Sequence, residues 1–242
     1  MSAKVKKSID GCGLEAVKEL LGSQLQAPDQ LKQPEGAATG LERFDSGTLW
    51  GGFPKGEMTL LLGELGAGAT SLWIGAAQRV LQARKWAAWI DGPAPLCPTP
   101  LRHRGLDLSR LLVTQTNGGQ PLAWLRLARE LLSSTLFETI GSAAPEALLL
   151  RESQARKLLA ACRSANVAFV LVARGKPPPY LELFALVARF ESKRILIERA
   201  LHRRPFEIPR RISHANFVHA RFDENPLLAP GKTGDGRGSK QE

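Results

Sequence analysis

The residues with the clearest chemical potential are Gly63, Glu64, Gly66, Gly68, Ala69, Thr70 and Ser71. They follow the frame G-x-x-x-x-G-K-[ST], a loop whose backbone N–H groups turn inward to cradle phosphate. One fixed residue differs: Ala69 stands at the lysine position. A methyl group cannot replace the cation that neutralises β- and γ-phosphate charge. Thr70 falls where a hydroxyl would ligate magnesium, or where it would cap a helix.

The flanking elements fit such a loop. Met58–Leu62 is a short apolar, strand-like run. Ser71–Leu81 carries apolar residues at helical spacing, so a helix N-terminus would add partial positive charge to the cradle. The order is strand, glycine loop, helix. Strands and helices then alternate, which predicts a parallel sheet with helices on both faces.

Upstream lie Thr39-Gly40-Leu41-Glu42-Arg43-Phe44-Asp45 and Gly51-Gly52-Phe53-Pro54-Lys55-Gly56-Glu57. Downstream lie Lys85–Asp91, ending in Ile-Asp, and Gly105–Gln115 with its G-L-D-x-x-x-L-L pattern. Together these segments resemble the RecA recombinase family over roughly residues 38 to 200. Among RecA-like proteins, a small basic chain with a decayed nucleotide loop is most similar to the ImuA-type accessory proteins of SOS mutagenesis.

The resemblance implies an α/β RecA-like core with a degenerate phosphate loop. It also implies a cytoplasmic protein that associates with the nucleoid on DNA damage. Its implied partners are a RecA homologue, a Y-family-like polymerase-related protein and an error-prone replicative polymerase, with DNA as a further possibility and no membrane. No cofactor is expected, ATP binding being weak or absent.

Further departures point the same way. The family's catalytic glutamate position is Pro93 here. Thr135–Ile140 is the best match to the strand that carries a metal-side carboxylate, with Glu138 as candidate; the same residue also suits a solvent-facing strand end. Ala173-Arg174 stands where a phosphate-sensing glutamine would close the Val167–Val172 strand. Phosphoryl transfer depends on positioning and charge stabilisation, so these losses together predict no useful ATP hydrolysis. A residual nucleotide-dependent switch is a second reading, and a DNA-binding module a third.

Composition bounds the rest. The 242 residues suit one α/β domain with short extensions. No apolar run nears the roughly 18 residues of a membrane span. Met1–Asp10 lacks the apolar stretch of a secretory signal. Cys12, Cys97 and Cys162 are widely spaced, which suits a reducing compartment, and the four histidines lack metal-site spacing.

The chain divides into residues 1–37, a helix and linker; 38–212, the core; and 213–242, a polar tail that reads as disordered. Leu14, Val17, Leu21 and Leu25 share one helical face, either packed on their own core or docked on a RecA-like partner. Pro121 is expected to open a helix, and another should run from about Pro145 to Ala165. Phe184–Phe190 and Arg194–Arg199 read as late strands.

The net charge of +10 is concentrated. Residues 1–40 and 221–242 are each balanced, with five basic against five acidic groups and four against four. Lys193–Arg211 carries seven basic residues against Glu198 and Glu207, a balance of +5. Arg199, Arg203, Arg204, Arg210 and Arg211 in this strip are candidates for contact with DNA or an acidic partner, with edge protection of the last strand as the alternative. Arg174, Lys176 and Tyr180 would offer a smaller phosphate-and-stacking contact in a proline-stiffened loop.

Overall fold

The computed structural model describes residues 35–64, 66–92, 95–116, 120–143, 148–200 and 204–209. Leu14, Val17, Leu21, Pro93, Arg203, Arg210 and Arg211 lie outside these residues, as do Cys12 and three of the histidines.

Two short strands, β1 (Gly36–Ala37) and β2 (Phe53–Pro54), pair with each other. Among the described residues the main sheet has eight strands. In chain order they are β3 (Met58–Gly63), β4 (Trp86–Asp91), β5 (Leu111–Gln115), β6 (Phe137–Ser142), β7 (Ala168–Ala173), β8 (Phe184–Phe190), β9 (Arg194–Ala200) and β10 (Phe206–Pro209). Across the sheet the order is β10-β9-β8-β3-β7-β6-β4-β5. The six strands from β8 to β5 are parallel; β9 and β10 add antiparallel at one edge. This is the helix-covered parallel sheet that the alternating pattern predicts.

Among the described residues five α-helices cover the sheet: α1 (Glu42–Gly47), α2 (Ala69–Gln82), α3 (Pro98–His103), α4 (Pro121–Ser133) and α5 (Glu152–Ala165). Pro121 occupies the first helical turn of α4, where its missing N–H costs nothing. The last helix starts later than the expected Pro145. Leu148 and Leu149 lie in a 3₁₀ turn, and Gln154 closes a box back onto the Arg151 N–H to begin α5.

Each sheet face has its own core. One gathers Trp124, Ala128, Leu131 and Leu132 of α4, Leu158 and Cys162 of α5, and Leu60, Ile140 and Phe169 of the strands. The other gathers Leu72, Trp73, Ala76 and Ala77 of α2, Phe44 of α1, and Leu61, Trp89 and Val170. Central strands buried on both sides explain why the apolar runs are continuous rather than alternating.

The upstream motif has a structural role. Asp45 accepts hydrogen bonds from the Thr39 N–H at 2.9 Å, the Thr39 hydroxyl at 2.7 Å and the Gly40 N–H at 3.0 Å. The segment so folded lies against α2. A Cβ on Gly75 would stand 2.2 Å from the Thr39 carbonyl oxygen, so only glycine admits this contact.

Candidate functional site

β3 runs directly into the glycine loop, and α2 leaves it. Gly63 is paired beside Phe190 of β8, and an added Cβ would meet Phe190 Cβ at 2.9 Å and Ala67 Cβ at 3.3 Å. Gly66 and Gly68 take φ values of +75° and +92°, the left-handed region that glycine adopts without strain. The Ala67 N–H donates to the Glu64 carbonyl at 3.0 Å, and the Leu72 N–H donates to the Gly68 carbonyl at 3.0 Å. Gly68 is the residue that precedes α2, and no side chain caps the helix. Thr70 is therefore the second helical residue and not a cap. Ser71 follows it half-buried, while Glu64 and Gly66 are exposed at the loop's outer side.

Ala69 is 5% exposed and packs within the core under α2. The lysine position thus holds a methyl group built into the hydrophobic interior. A backbone cradle and the Thr70 hydroxyl are the groups here that could hold phosphate. The cation in register with Leu62 is Arg189 of β8, which is ion-paired to Glu198; Arg174, one residue past Ala173, the β7 partner of Leu62, is exposed.

The metal-side carboxylate expected at Glu138 is not there. The strand begins at Phe137 instead of Thr135, because Thr135 takes a left-handed φ of +51° and ends the preceding turn. Glu138 consequently sits at the N-terminal end of β6, at the opposite end of the sheet from the glycine loop. It bonds Lys55 at 2.7 Å and Lys85 at 2.6 Å. Burial opposes its charge most strongly, but the two lysines prevail and hold its pKa below the ordinary carboxylate value. The same contact, against burial, raises Lys55.

At the C-terminal end of β6 the residues on the α2 side are Gly141 and Ala143. A Cβ on Gly141 would stand 2.5 Å from Trp73 Cε2 and 2.5 Å from Trp89 Cε3. The two indoles are stacked at a tilt, with centroids 4.5 Å apart. They fill the volume that a longer side chain at position 141 would need. Asp91, the family-like end of the second strand, accepts from Trp89 Nε1 at 2.6 Å and from the Leu96 N–H at 2.9 Å. On the other face Trp124 Nε1 donates to Ser142 Oγ at 3.0 Å, and Ser142 in turn donates to the Ile90 carbonyl. Sequence reasoning missed this tryptophan packing. The signal available was the presence of Trp73 and Trp89 in elements where small or polar residues would line a nucleotide site.

The other candidate surfaces separate. Tyr180 is 2% exposed and stacks on Phe184 with ring centroids 6.2 Å apart, so it is not open to stack on a base. Burial pushes its pKa up to about 12. The basic strip is not a free extended segment either. Phe206–Pro209 joins the sheet as β10; Ile208 is buried and the Phe206 ring lies over Gly47. Arg194 is paired with Glu191 and Glu207, and Arg199 donates to the Glu182 carbonyl. Arg204 is exposed. Pairing explains why a charge count of the segment overstates the cationic surface it offers.

Among the described residues no group of three or more His, Cys, Asp or Glu side chains is placed to hold a metal ion. Nor is any helix among them long and apolar enough to cross a membrane.

The sheet order and the glycine loop between β3 and α2 define an α/β protein with a RecA-like core. The proteins to which the chain is similar include RecA of several bacteria. RecA of Thermotoga petrophila is 29% identical over 141 residues, 57% of this chain and 39% of that protein. RecA of Picosynechococcus sp. is 33% identical over 90 residues, 37% of this chain and 25% of that protein. RecA of Rhodospirillum centenum is 27% identical over 117 residues, 48% of this chain and 32% of that protein. The chain thus spans less than half the length of these relatives. No protein-family profile matches it.

Proposed function

We propose that this chain is a non-catalytic RecA-like accessory protein of the DNA-damage response. It binds a RecA homologue and components of translesion synthesis, a Y-family-like protein and an error-prone replicative polymerase, and so supports or regulates damage-induced mutagenesis. The observation that carries the non-catalytic part is the packing of Trp73 and Trp89 over Gly141. With Ala69 in the core, both the phosphate-neutralising cation and the metal-side carboxylate are replaced by apolar packing. Phosphoryl transfer has little left to work with when positioning charges are lost from both sides. The partners follow from the ImuA-type resemblance.

A second reading is a weak nucleotide-dependent switch. It is favoured by the left-handed Gly66 and Gly68 at the N-terminus of α2, a geometry suited to anions. Equilibrium binding with Mg-ATP at millimolar concentration separates the two. A plain DNA-binding module has less support, because Tyr180 is buried and Arg194 and Arg199 are engaged.

The accessory reading is tested by affinity capture of the full chain from DNA-damaged cells, beside forms lacking 1–37 or 200–242. Recovery of a RecA homologue and a polymerase component, lost in one of the shortened forms, is the expected result. Recovery of neither from the full chain would reject it.

A further inference from the structure

Helices α4 and α5 pack side by side on one face of the sheet, opposite α2. α4 follows β5 and α5 follows β6, so both start at the C-terminal end of parallel strands and run the same way. Each buries one stripe: Trp124, Leu125, Ala128, Leu131 and Leu132 on α4, and Ala155, Leu158, Leu159 and Cys162 on α5. Two leucines at the shared start of the pair stay outside these stripes. Leu122, in the first turn of α4, is 56% exposed, and Leu149, just ahead of α5, is 68% exposed. No other large apolar side chain among the described residues is as open. Leu150 is buried and anchors the entry to α5, so the fold uses Leu150 and leaves Leu149 to solvent.

The rest of this outer face is basic. Arg126 and Arg129 follow Leu122 by one and two turns, on the same side of α4. Arg151 and Lys157 carry the charge across to α5, and all four cations are exposed. Among the described residues no acid is paired with any of them. The acids of the two helices are Glu130 and Glu152, and Glu152 is already bound to Arg156 one turn on. Arg163, at the far end of α5, is likewise engaged by Glu57. The face therefore offers two open leucines at one end and a run of unmatched positive charge below them.

We infer that the outer face of α4 and α5 is a docking site for an acidic amphipathic helix of a partner protein. Apolar side chains of that helix seat on Leu122 and Leu149, and its carboxylates meet Arg126, Arg129, Arg151 and Lys157. An apolar contact bordered by charge is the anatomy of a protein interface. A phosphate backbone would use the cations and leave the leucines idle. A second copy of this chain would set cation against cation. The two helices have 13 and 14 residues, so the face is about 20 Å long and accommodates about four helical turns. The inference does not depend on the loss of catalysis, since α2 lies on the other sheet face. Nor does it depend on which proteins the chain meets, since it concerns their chemistry alone.

The test uses the full chain and a fluorescein-labelled peptide of about fourteen residues, with Leu along one helical face and Glu and Ala elsewhere. One control peptide has Lys in place of Glu, and the other has Ser in place of Leu. Anisotropy should show the acidic, leucine-bearing peptide binding at least about tenfold more tightly than either control. The double variant Leu122→Ser, Leu149→Ser should weaken it by about tenfold, because the apolar seat is lost. Arg126→Glu and Lys157→Glu should each weaken it by roughly threefold or more. Arg102→Glu, which reverses an exposed cation on the α2 side of the sheet, should leave it unchanged. All these sites are exposed, and thermal melts matching the parent confirm folding. Failure of the peptide to bind, or equal binding of either control, would overturn the inference. So would an unchanged affinity in the double leucine variant, which would mark a purely electrostatic contact of the kind an oligothymidine would share. An equal loss in Arg102→Glu would mark a response to overall charge and overturn it as well. Sedimentation showing a dimer that the double leucine variant dissolves would assign the face to a second copy, with the same consequence.

Discussion

Gly141 lies directly beneath Trp73: a Cβ at position 141 would stand 2.5 Å from Cε2 of the indole and 2.6 Å from its Nε1. No real Cβ sits so close to a ring. The relationship ties the sequence of β6 to that of α2, and it makes the reintroduction of a carboxylate at this strand end a packing problem before it is a chemical one.

Gly141→Ala should therefore destabilise the fold by about 1–3 kcal/mol, the usual cost of overpacking a dense core. Gly141→Asp should cost more, since it also buries a charge without a partner. Urea denaturation measures both. Trp73→Ala is costly alone, at about 3–5 kcal/mol, yet in the double variant with Gly141→Ala the two costs should be less than additive, because the first makes room for the second. Strict additivity would show that the two residues do not share that space.

Glu138 gives a pH signature. Its pKa is depressed below the ordinary 4.5, so its stabilising contribution is present above that value and is lost as pH falls through the lower folded-state value. Lys55 is raised above the ordinary 10.5, so its contribution is complete below that value and is lost as pH rises through the higher one. Glu138→Gln should cost about 1 kcal/mol at neutral pH, and the loss should shrink below about pH 4. Chemical denaturation across the acid limb checks this. A cost independent of pH would place the effect in packing instead of charge.

Asp45 holds three donors from Thr39 and Gly40. Asp45→Ala leaves them without their acceptor in a half-buried site, for an expected loss of about 2–3 kcal/mol in urea midpoint terms. Arg79→Ala, which removes only an exposed neighbouring cation, should cost well under half of that.

The fold was legible in the sequence because its strongest signals are local. Met58–Leu62, the glycine loop and the apolar spacing of Ser71–Leu81 together announce a strand, a turn and a helix, and the structure places them as β3, the loop and α2. What misled was position along a strand. Glu138 looked like an end residue of Thr135–Ile140, but the left-handed Thr135 moved the strand two residues on and put the carboxylate at the wrong end of the sheet. The tryptophan packing was illegible because Trp73, Trp89 and Gly141 are distant in sequence and meet only through sheet order. The arginine count failed for the same reason: Arg194 and Glu207 become partners only when β10 folds back on β9.

Restoring the lysine should not restore the chemistry. Ala69 is packed in the core, so Ala69→Lys must either bury or redirect a cation, with an expected stability loss of about 1–3 kcal/mol. Its ATPase rate should equal that of the parent chain. A rise to measurable turnover would mean that Ala69 alone had silenced the site.

The loss of catalysis is tested most directly by the steady-state ATPase rate of the full chain, purified free of contaminating nucleotidase and assayed with Mg-ATP in the presence and absence of single-stranded DNA. The predicted result is no turnover above a protein-free control under either condition. A DNA-stimulated rate comparable to that of an ordinary RecA would contradict it.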